Sequence, residues 1–501
     1  MIMIFLAPFE LGSTRRCNAA FCCDPPPFSH LTVSGLSQAC ADAMFHSAHH
    51  IVISGSKFID ASPPSNGLKE LLKYSMPDAF HDSSARYPPP KCHPSTRKDY
   101  IDEITKWALS AQGRVEPILW LYGPFGVGKS AIAQSCAMYL ERVTILVATL
   151  FFSRANPNRE DPNRVFTSIA YQIATKCQVF SEILDTRIQQ DPAVFTKSLP
   201  KQFEELLVQP LKQVGSATRE FWLEGGTIII DGLDECKGAA AQHAIVDIIA
   251  ISVRDRTTPF RWFITSRSEA NIFRTMKSSA VSAVSSHLEL PVSREIDYQI
   301  LLYLTDEFTK IREFHQLLPS WPSEDHLALL VAHAAGLFIY AATIIRFIND
   351  ENSFGPEDQL RIVLKYVMTV SAKAGEANPL AEMDSLYILI VERIPPNLRL
   401  TVKRILFIHS LGSYFQGPIT IASILNISVD QFRRCCTFIQ SVMELRGETL
   451  NTMSMHFYHT SFLDFMKDPK RSKEFCIRGD FLIEYRRELL EWLHEILRTF
   501  L

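Results

Sequence analysis

Gly123-Pro124-Phe125-Gly126-Val127-Gly128-Lys129-Ser130 follows the spacing G-x-x-x-x-G-K-[ST] without departure. Glycines at these positions let a loop fold around an anion with its backbone N–H groups turned inward. An apolar run, Ile118–Tyr122, leads into the loop, and Ala131 opens the helical pattern that leads out. A helix N-terminus at that point adds the positive end of its dipole. Lys129 is the group that would reach the β- and γ-phosphates of a nucleotide, and Ser130 the hydroxyl that would hold Mg²⁺. The alternative is a chance match in a glycine-containing loop.

A second group lies downstream, where the apolar run Thr227–Ile230 ends in Asp231, Gly232, Leu233, Asp234 and Glu235. A strand ending in acid puts Asp231 at the carboxyl edge of a sheet, where ligands bind. Asp231 is expected to hold Mg²⁺ through water, and Asp234 or Glu235 to orient or deprotonate an attacking water. The plainer reading is a strand followed by an acidic turn. A third strand, Phe260–Ile264, ends in Thr265, Ser266 and Arg267. A guanidinium suits phosphate oxygens, so Arg267 is a candidate sensor of the γ-phosphate, against the alternative of a surface arginine.

These groups need a sheet that brings several strand ends to one edge. From about residue 115 short apolar runs (117–122, 144–152, 227–230, 261–265) alternate with helical patterns (129–141, 163–176, 201–214, 241–253). That alternation predicts an α/β domain, a parallel sheet with helices on both faces. Residues 295–501 read as almost wholly helical, with 296–309, 325–349, 356–368 and 386–391 the clearest segments. Pro418–Leu425 and Val429–Phe438 flank a short turn and read as helix–turn–helix. Ahead of the sheet, residues 99–110 are helical and 62–97 are rich in proline and polar groups, a linker in which Tyr87–Pro90 and His93-Pro94 must run extended because proline excludes helix from the residue before it. His50–Ile53 and Lys57–Ile59 read as a short hairpin, and residues 1–43 as disordered. The change of texture at Met44 predicts translation from that residue.

Composition bounds the rest. The chain has 501 residues, 47% hydrophobic and 21% charged, with net charge −3. At about 100–200 residues per domain this predicts roughly three domains. The charge argues against a dominant nucleic-acid or membrane-surface role. No apolar stretch approaches the roughly 18–20 residues that cross a bilayer, and the start lacks a signal peptide's basic region. Eleven cysteines without regular spacing read as reduced thiols, and Cys17, Cys22 and Cys23 lack zinc spacing. A soluble cytoplasmic protein is expected.

Taken together, Gly123–Ser130, Ile228–Cys236 and Phe263–Arg267 resemble the NACHT family of signal-transduction ATPases, in the form found in mushroom-forming fungi. Ser75–Asp82, Arg86–Pro94, Ala335-Gly-Leu-Phe-Ile-Tyr-Ala-Ala342 and His459-Thr-Ser-Phe-Leu-Asp-Phe465 extend the resemblance over roughly 44–470. It implies a nucleotide-binding domain (99–290), a small helical domain (291–385) and a winged-helix domain (386–470). An N-terminal hairpin and linker (44–98) would precede them and a C-terminal helix (471–501) would follow. It implies ATP or ADP with Mg²⁺ as ligand (GTP is not separated by these motifs), slow hydrolysis, and protein partners or self-association on activation. In such proteins the histidine matching His459 contacts the β-phosphate of ADP and latches a closed state; the alternative is a core histidine near Phe457 and Phe462. Phe338 stands where relatives often carry proline. The family usually continues into ligand-sensing repeats, and none is recognisable here. The implied role is an NLR-like switch, such as fungi use in innate immunity or self/non-self recognition. Two other readings stand beside it: a nucleotide-binding scaffold without turnover, and a DNA-binding helix–turn–helix. Only Arg433 and Arg434 lie near that motif, so nucleic acid is not an expected partner.

Overall fold

Five parallel strands carry the N-terminal half: β1 (Ile118–Tyr122), β2 (Leu146–Phe151), β3 (Thr227–Asp231), β4 (Arg261–Ser266) and β5 (Ser285–Glu289). Their order across the sheet is β2-β3-β4-β1-β5, with every neighbouring pair parallel. Parallel pairing needs a crossover between successive strands. The helices Lys129–Arg142, Val165–Ala174, Gln178–Gln190 and Ala239–Arg254 supply most of them. The coordinates are a computed structural model that describes residues 66–110, 115–217, 225–371, 379–411, 417–447, 449 and 453–488. The hairpin read at 50–59 and the segment 1–43 lie outside the described residues.

The alternation of side chains along each strand sorts the sheet into two cores. Ile118, Trp120, Ile228, Ile230, Trp262 and Ile264 face one way and pack with Phe166, Ile169, Ile245 and Ile249. Leu119, Leu121, Ile229 and Phe263 face the other and pack with Ile132, Cys136 and Leu140 of the helix after the loop. This second core runs on without interruption into the C-terminal half, through Leu304, Tyr340, Leu386 and Phe462. The α/β P-loop NTPase fold with a following helical region, expected from the sequence, is therefore what the chain adopts.

The C-terminal half contains the helices Asp297–Phe314, Glu324–Ala334, Phe338–Ile348, Pro356–Ser371, Pro379–Glu392 and Pro396–His409. Pro418–Ile424 and Val429–Thr437 then form the expected pair of short helices. Several expectations need correction. Residues 325–349 are two helices, because Ala335 and Gly336 take φ of +49° and +80° and turn the chain. A Cβ on Gly336 would stand 2.6 Å from the carbonyl oxygen of Ser293, so the turn requires glycine. Within this almost wholly helical region two short strands, β6 (Met443–Arg446) and β7 (Ser454–Phe457), pair antiparallel and were not placed from the sequence. Four-residue strands are too short to show a period of two. Asn66–Lys73, within the linker read as extended, is a helix that fits the proline-free stretch between Pro64 and Pro77. β5 and the helix Gln178–Gln190 had no counterpart in the sequence reading. Among the described residues no helix is long and apolar enough to cross a membrane.

Candidate functional site

The phosphate loop turns from the end of β1 into the helix Lys129–Arg142. Gly126 and Gly128 have φ of +78° and +103° there. The loop is pressed close to its surroundings: a Cβ on Gly123 would come 2.1 Å from the Leu290 carbonyl oxygen, and one on Gly126 would come 2.3 Å from Ile339. The Ile339 N–H donates to the Gly126 carbonyl at 3.4 Å, so the start of the helix Phe338–Ile348 roofs the loop. Lys129 folds back over it and its Nζ donates to the carbonyls of Gly123 at 2.8 Å and Pro124 at 2.6 Å. Burial pushes the Lys129 ammonium down to about 8, against the pull of nearby Asp234. Phosphate oxygens are the natural counter-charge for such a group.

Asp231 closes β3 and is 3% exposed. Thr265, near the end of β4, donates to its Oδ1 at 2.6 Å and accepts the Gly232 N–H at 3.0 Å. The Ser130 side chain also stands close enough to favour the charged form of Asp231. Burial raises the Asp231 carboxyl above its ordinary range, and the Thr265 and Ser130 hydroxyls oppose the rise. The two residues assigned to Mg²⁺ are thus neighbours. Among the described residues no group of three or more His, Cys, Asp or Glu could hold a metal. A site with one carboxylate and one hydroxyl fits an ion that keeps waters and phosphate oxygens as its other ligands, which is the habit of Mg²⁺.

The two further acids have different surroundings. Asp234 accepts the Arg267 N–H at 2.9 Å and Arg154 Nη2 at 3.2 Å, with Arg267 Nε 3.3 Å away. It anchors two guanidiniums. Glu235 is pushed up to about 7 by burial first and Asp234 second, with Arg267 and Arg154 pulling it back. A carboxylate poised there suits proton transfer near neutral pH. Burial works against the charge on Arg267, but Asp464, Asp234 and Glu235 outweigh it and hold its pKa above the ordinary value.

The segment after β7 meets this edge. Arg267 donates from Nη1 to Asp464 Oδ2 at 2.9 Å and from Nη2 to Thr460 Oγ1 at 3.0 Å. Thr460 Oγ1 donates to Glu235 Oε1 at 3.1 Å. His459 sits with its ring 6.2 Å from that of Phe125 in the phosphate loop. Its Nδ1 accepts the Ser461 N–H at 3.1 Å, which assigns the ring proton to Nε2. Burial pushes the imidazole down to about 3, helped by the charges of Arg267 and Lys129, so it is neutral. A neutral ring with Nε2–H is a hydrogen-bond donor without charge.

Every residue singled out from the sequence, from Gly123 to Ala131 with Asp231, Asp234, Glu235, Arg267 and His459, belongs to this one cluster. Sequence reasoning missed Arg154, Thr265, Thr460, Asp464 and Ile339. Thr265, Thr460 and Asp464 lay inside quoted motifs without a role, and Arg154 follows closely after β2, at the same sheet edge.

Residues 100–267 match the family model of the nephrocystin 3 N-terminal region. No curated protein is matched by this chain. Solved structures with similar outlines include Cdc6p from Pyrobaculum aerophilum, at 13% identity and TM-score 0.34, over 79% of this chain and 99% of that one. The ADP form of the Aeropyrum pernix ORC2 protein gives 13% and 0.30, over 74% of this chain and 90% of that one. AMPPCP-bound DnaA from Aquifex aeolicus gives 12% and 0.30, over 74% and 91%.

Proposed function

We propose that this chain is a nucleotide-driven signalling switch of the NACHT type, which binds ATP or ADP with Mg²⁺ and hydrolyses ATP slowly. The observation that carries this reading is the meeting of the loop Gly123–Ser130, the acids after β3 and the segment 459–464 at one sheet edge. In this reading the loop's N–H groups and Lys129 hold the phosphates, and Ser130 and Asp231 would hold a Mg²⁺ ion, whose contribution would be to neutralise charge developing on the phosphates. Glu235 orients the attacking water and accepts its proton. Asp234 fixes the two arginines, and Arg267 reports the γ-phosphate. His459 Nε2–H donates to the β-phosphate of ADP, so ADP favours the closed arrangement. A ligand shifts such an equilibrium only through its different affinity for the two states. ATP, having a third phosphate to offer Arg267, favours release of the segment and self-association.

The domains carry over as 99–290 for nucleotide, 291–385 as the small helical unit and 386–470 as a winged helix, with the hairpin β6–β7 as its wing. The motif resemblance supports a cytoplasmic role in self/non-self recognition rather than metabolism. The test is to purify the protein and its Lys129→Ala variant, denature both and identify released nucleotide by chromatography. ADP or ATP from the wild type alone is expected, with affinity in the variant lower by about 100-fold for the lost charge-assisted bonds. A wild type that carries none and binds none when offered it would sink the proposal. Bound nucleotide with no turnover under any condition would favour the scaffold reading.

A further inference from the structure

The contacts of segment 459–464 have a direction fixed by chemistry. A guanidinium can only donate, so Thr460 Oγ1 accepts from Arg267 Nη2 at 3.0 Å and its single proton goes to Glu235 Oε1 at 3.1 Å. The other oxygen, Oε2, accepts the Arg154 N–H at 3.1 Å. Both oxygens of Glu235 are engaged within the protein. Arg267 spends Nη1 on Asp464, Nη2 on Thr460 and holds Nε 3.3 Å from Asp234. Asp464 Oδ1 lies 3.9 Å from Arg154 Nη1, so one carboxylate addresses both arginines. Thr460 is 6% exposed, which leaves water little room to compete for these bonds.

We infer that Thr460 and Asp464 are a brake on hydrolysis, separate from the nucleotide latch at His459. The inference rests on the switch reading above and names a regulation of the same site. In the hydrolytic step a water oxygen bonds to the γ-phosphorus, its proton passes to Glu235, and the bond from that phosphorus to the bridging oxygen breaks to release ADP and phosphate. Thr460 and Arg154 each take a place on one oxygen of Glu235 and so compete with that water for the carboxylate, and Asp464 and Thr460 compete with a γ-phosphate for Arg267. Nucleotide can therefore sit in the closed chain uncut. Cleavage follows departure of the segment, and turnover reports opening. His459 and Thr460 divide the work between adjacent residues: one ring for affinity, one hydroxyl for rate.

The test uses the full chain in single-turnover ATP hydrolysis, with ADP affinity measured in parallel. Thr460→Val keeps the shape and removes the hydroxyl, and is expected to hydrolyse about tenfold faster, the factor that a lost closing contact of about 1.4 kcal/mol gives. ADP affinity should stay within about threefold, a shift of about 0.65 kcal/mol. Thr460→Ser should restore the wild-type rate, and adding Glu235→Gln to Thr460→Val should abolish the acceleration. Asp464→Asn, which frees both arginines from a charge, should also accelerate and serves if the valine variant fails to fold. A folded, ATP-binding Thr460→Val no faster than wild type would overturn the brake while leaving the switch reading intact. So would equal acceleration by serine and valine, since that would be packing. Failure of the wild type to bind any nucleotide would remove both.

Discussion

Asp231 takes its hydrogen bond from Thr265 on β4 and is steadied further by Ser130, in the first turn of the helix after the phosphate loop, both at the same sheet edge. Glu235, four residues on, takes one of its bonds from Thr460, 225 residues away. The same edge thus presents one carboxylate that the sheet alone satisfies and another that waits for the C-terminal half. The first arrangement persists as long as the sheet is folded. The second exists only while the two halves are together. The comparison teaches where a nucleotide-dependent change can act: on Arg267, Glu235 and their partners, and not on Asp231.

The sharpest way to break this comparison is Arg267→Ala. It takes one of two guanidiniums from the Asp464 and Asp234 carboxylates, leaving them Arg154, and losing several charge-assisted hydrogen bonds at this junction should cost roughly 3–5 kcal/mol. Urea unfolding followed by limited proteolysis should show the C-terminal half loosening first while the sheet half keeps its midpoint. A single unshifted transition would mean that the halves are held by something else. Gly336→Ala acts on the roof instead of the edge. With φ of +80° and Ser293 backbone atoms 2.6–3.1 Å from the added Cβ, it should lower stability by about 1–3 kcal/mol, read from the melting midpoint. An unchanged midpoint would show that the turn between the two helices is freer than its geometry implies.

Protons provide the smallest and most selective probe. Burial lowers the pKa of His409 and His456 to about 4 and that of His459 to about 3, and all three lie in the C-terminal half. Their folded values are depressed, so below pH 6.5 the unfolded state binds protons that the folded state refuses. Stability from these groups is full above pH 6.5 and falls as pH drops toward 4 and then 3. Glu235, raised by burial, has the opposite sign: its folded state keeps a proton that the unfolded state gives up, so its contribution falls as pH rises from about 4.5 to about 7. At pH 5.5 the His459→Phe variant should recover at most about 1.4 kcal/mol of the loss seen in wild type, the value of one pH unit for one group. A His459→Phe variant whose stability follows the same pH dependence as wild type between pH 7 and 5 would show that this ring stays in water.

How much of this could be read from the sequence follows the same division. The phosphate loop, Asp231 and Arg267 were readable because their chemistry is local: glycine spacing, or a strand that ends in a polar group. The strands β1 to β4 were readable because buried parallel strands are continuous apolar runs. Edge strand β5, Ser-Ser-His-Leu-Glu, has no such run. The break at Ala335 and Gly336 was hidden by the good helix formers around it, since only the approach of Ser293 makes the turn necessary. Arg154 and Thr460 could not be found locally because their partners lie 80 and 225 residues away. Long-range pairs of that kind leave no period and no spacing.

The distance between Arg267 and Asp464, 197 residues, also has a meaning in time. A ribosome adding about 5–20 residues per second needs roughly 10–40 s to make that stretch. For that period the strand ends and the phosphate loop have been made while the residues that cover them have not. On the switch reading proposed above, nucleotide from the cell can enter the loop as the chain is born, and the newly finished protein is expected to carry it. Its first state is then set by the ATP and ADP present during synthesis, and nascent chains arrested past Glu289 are where that loading would be measured.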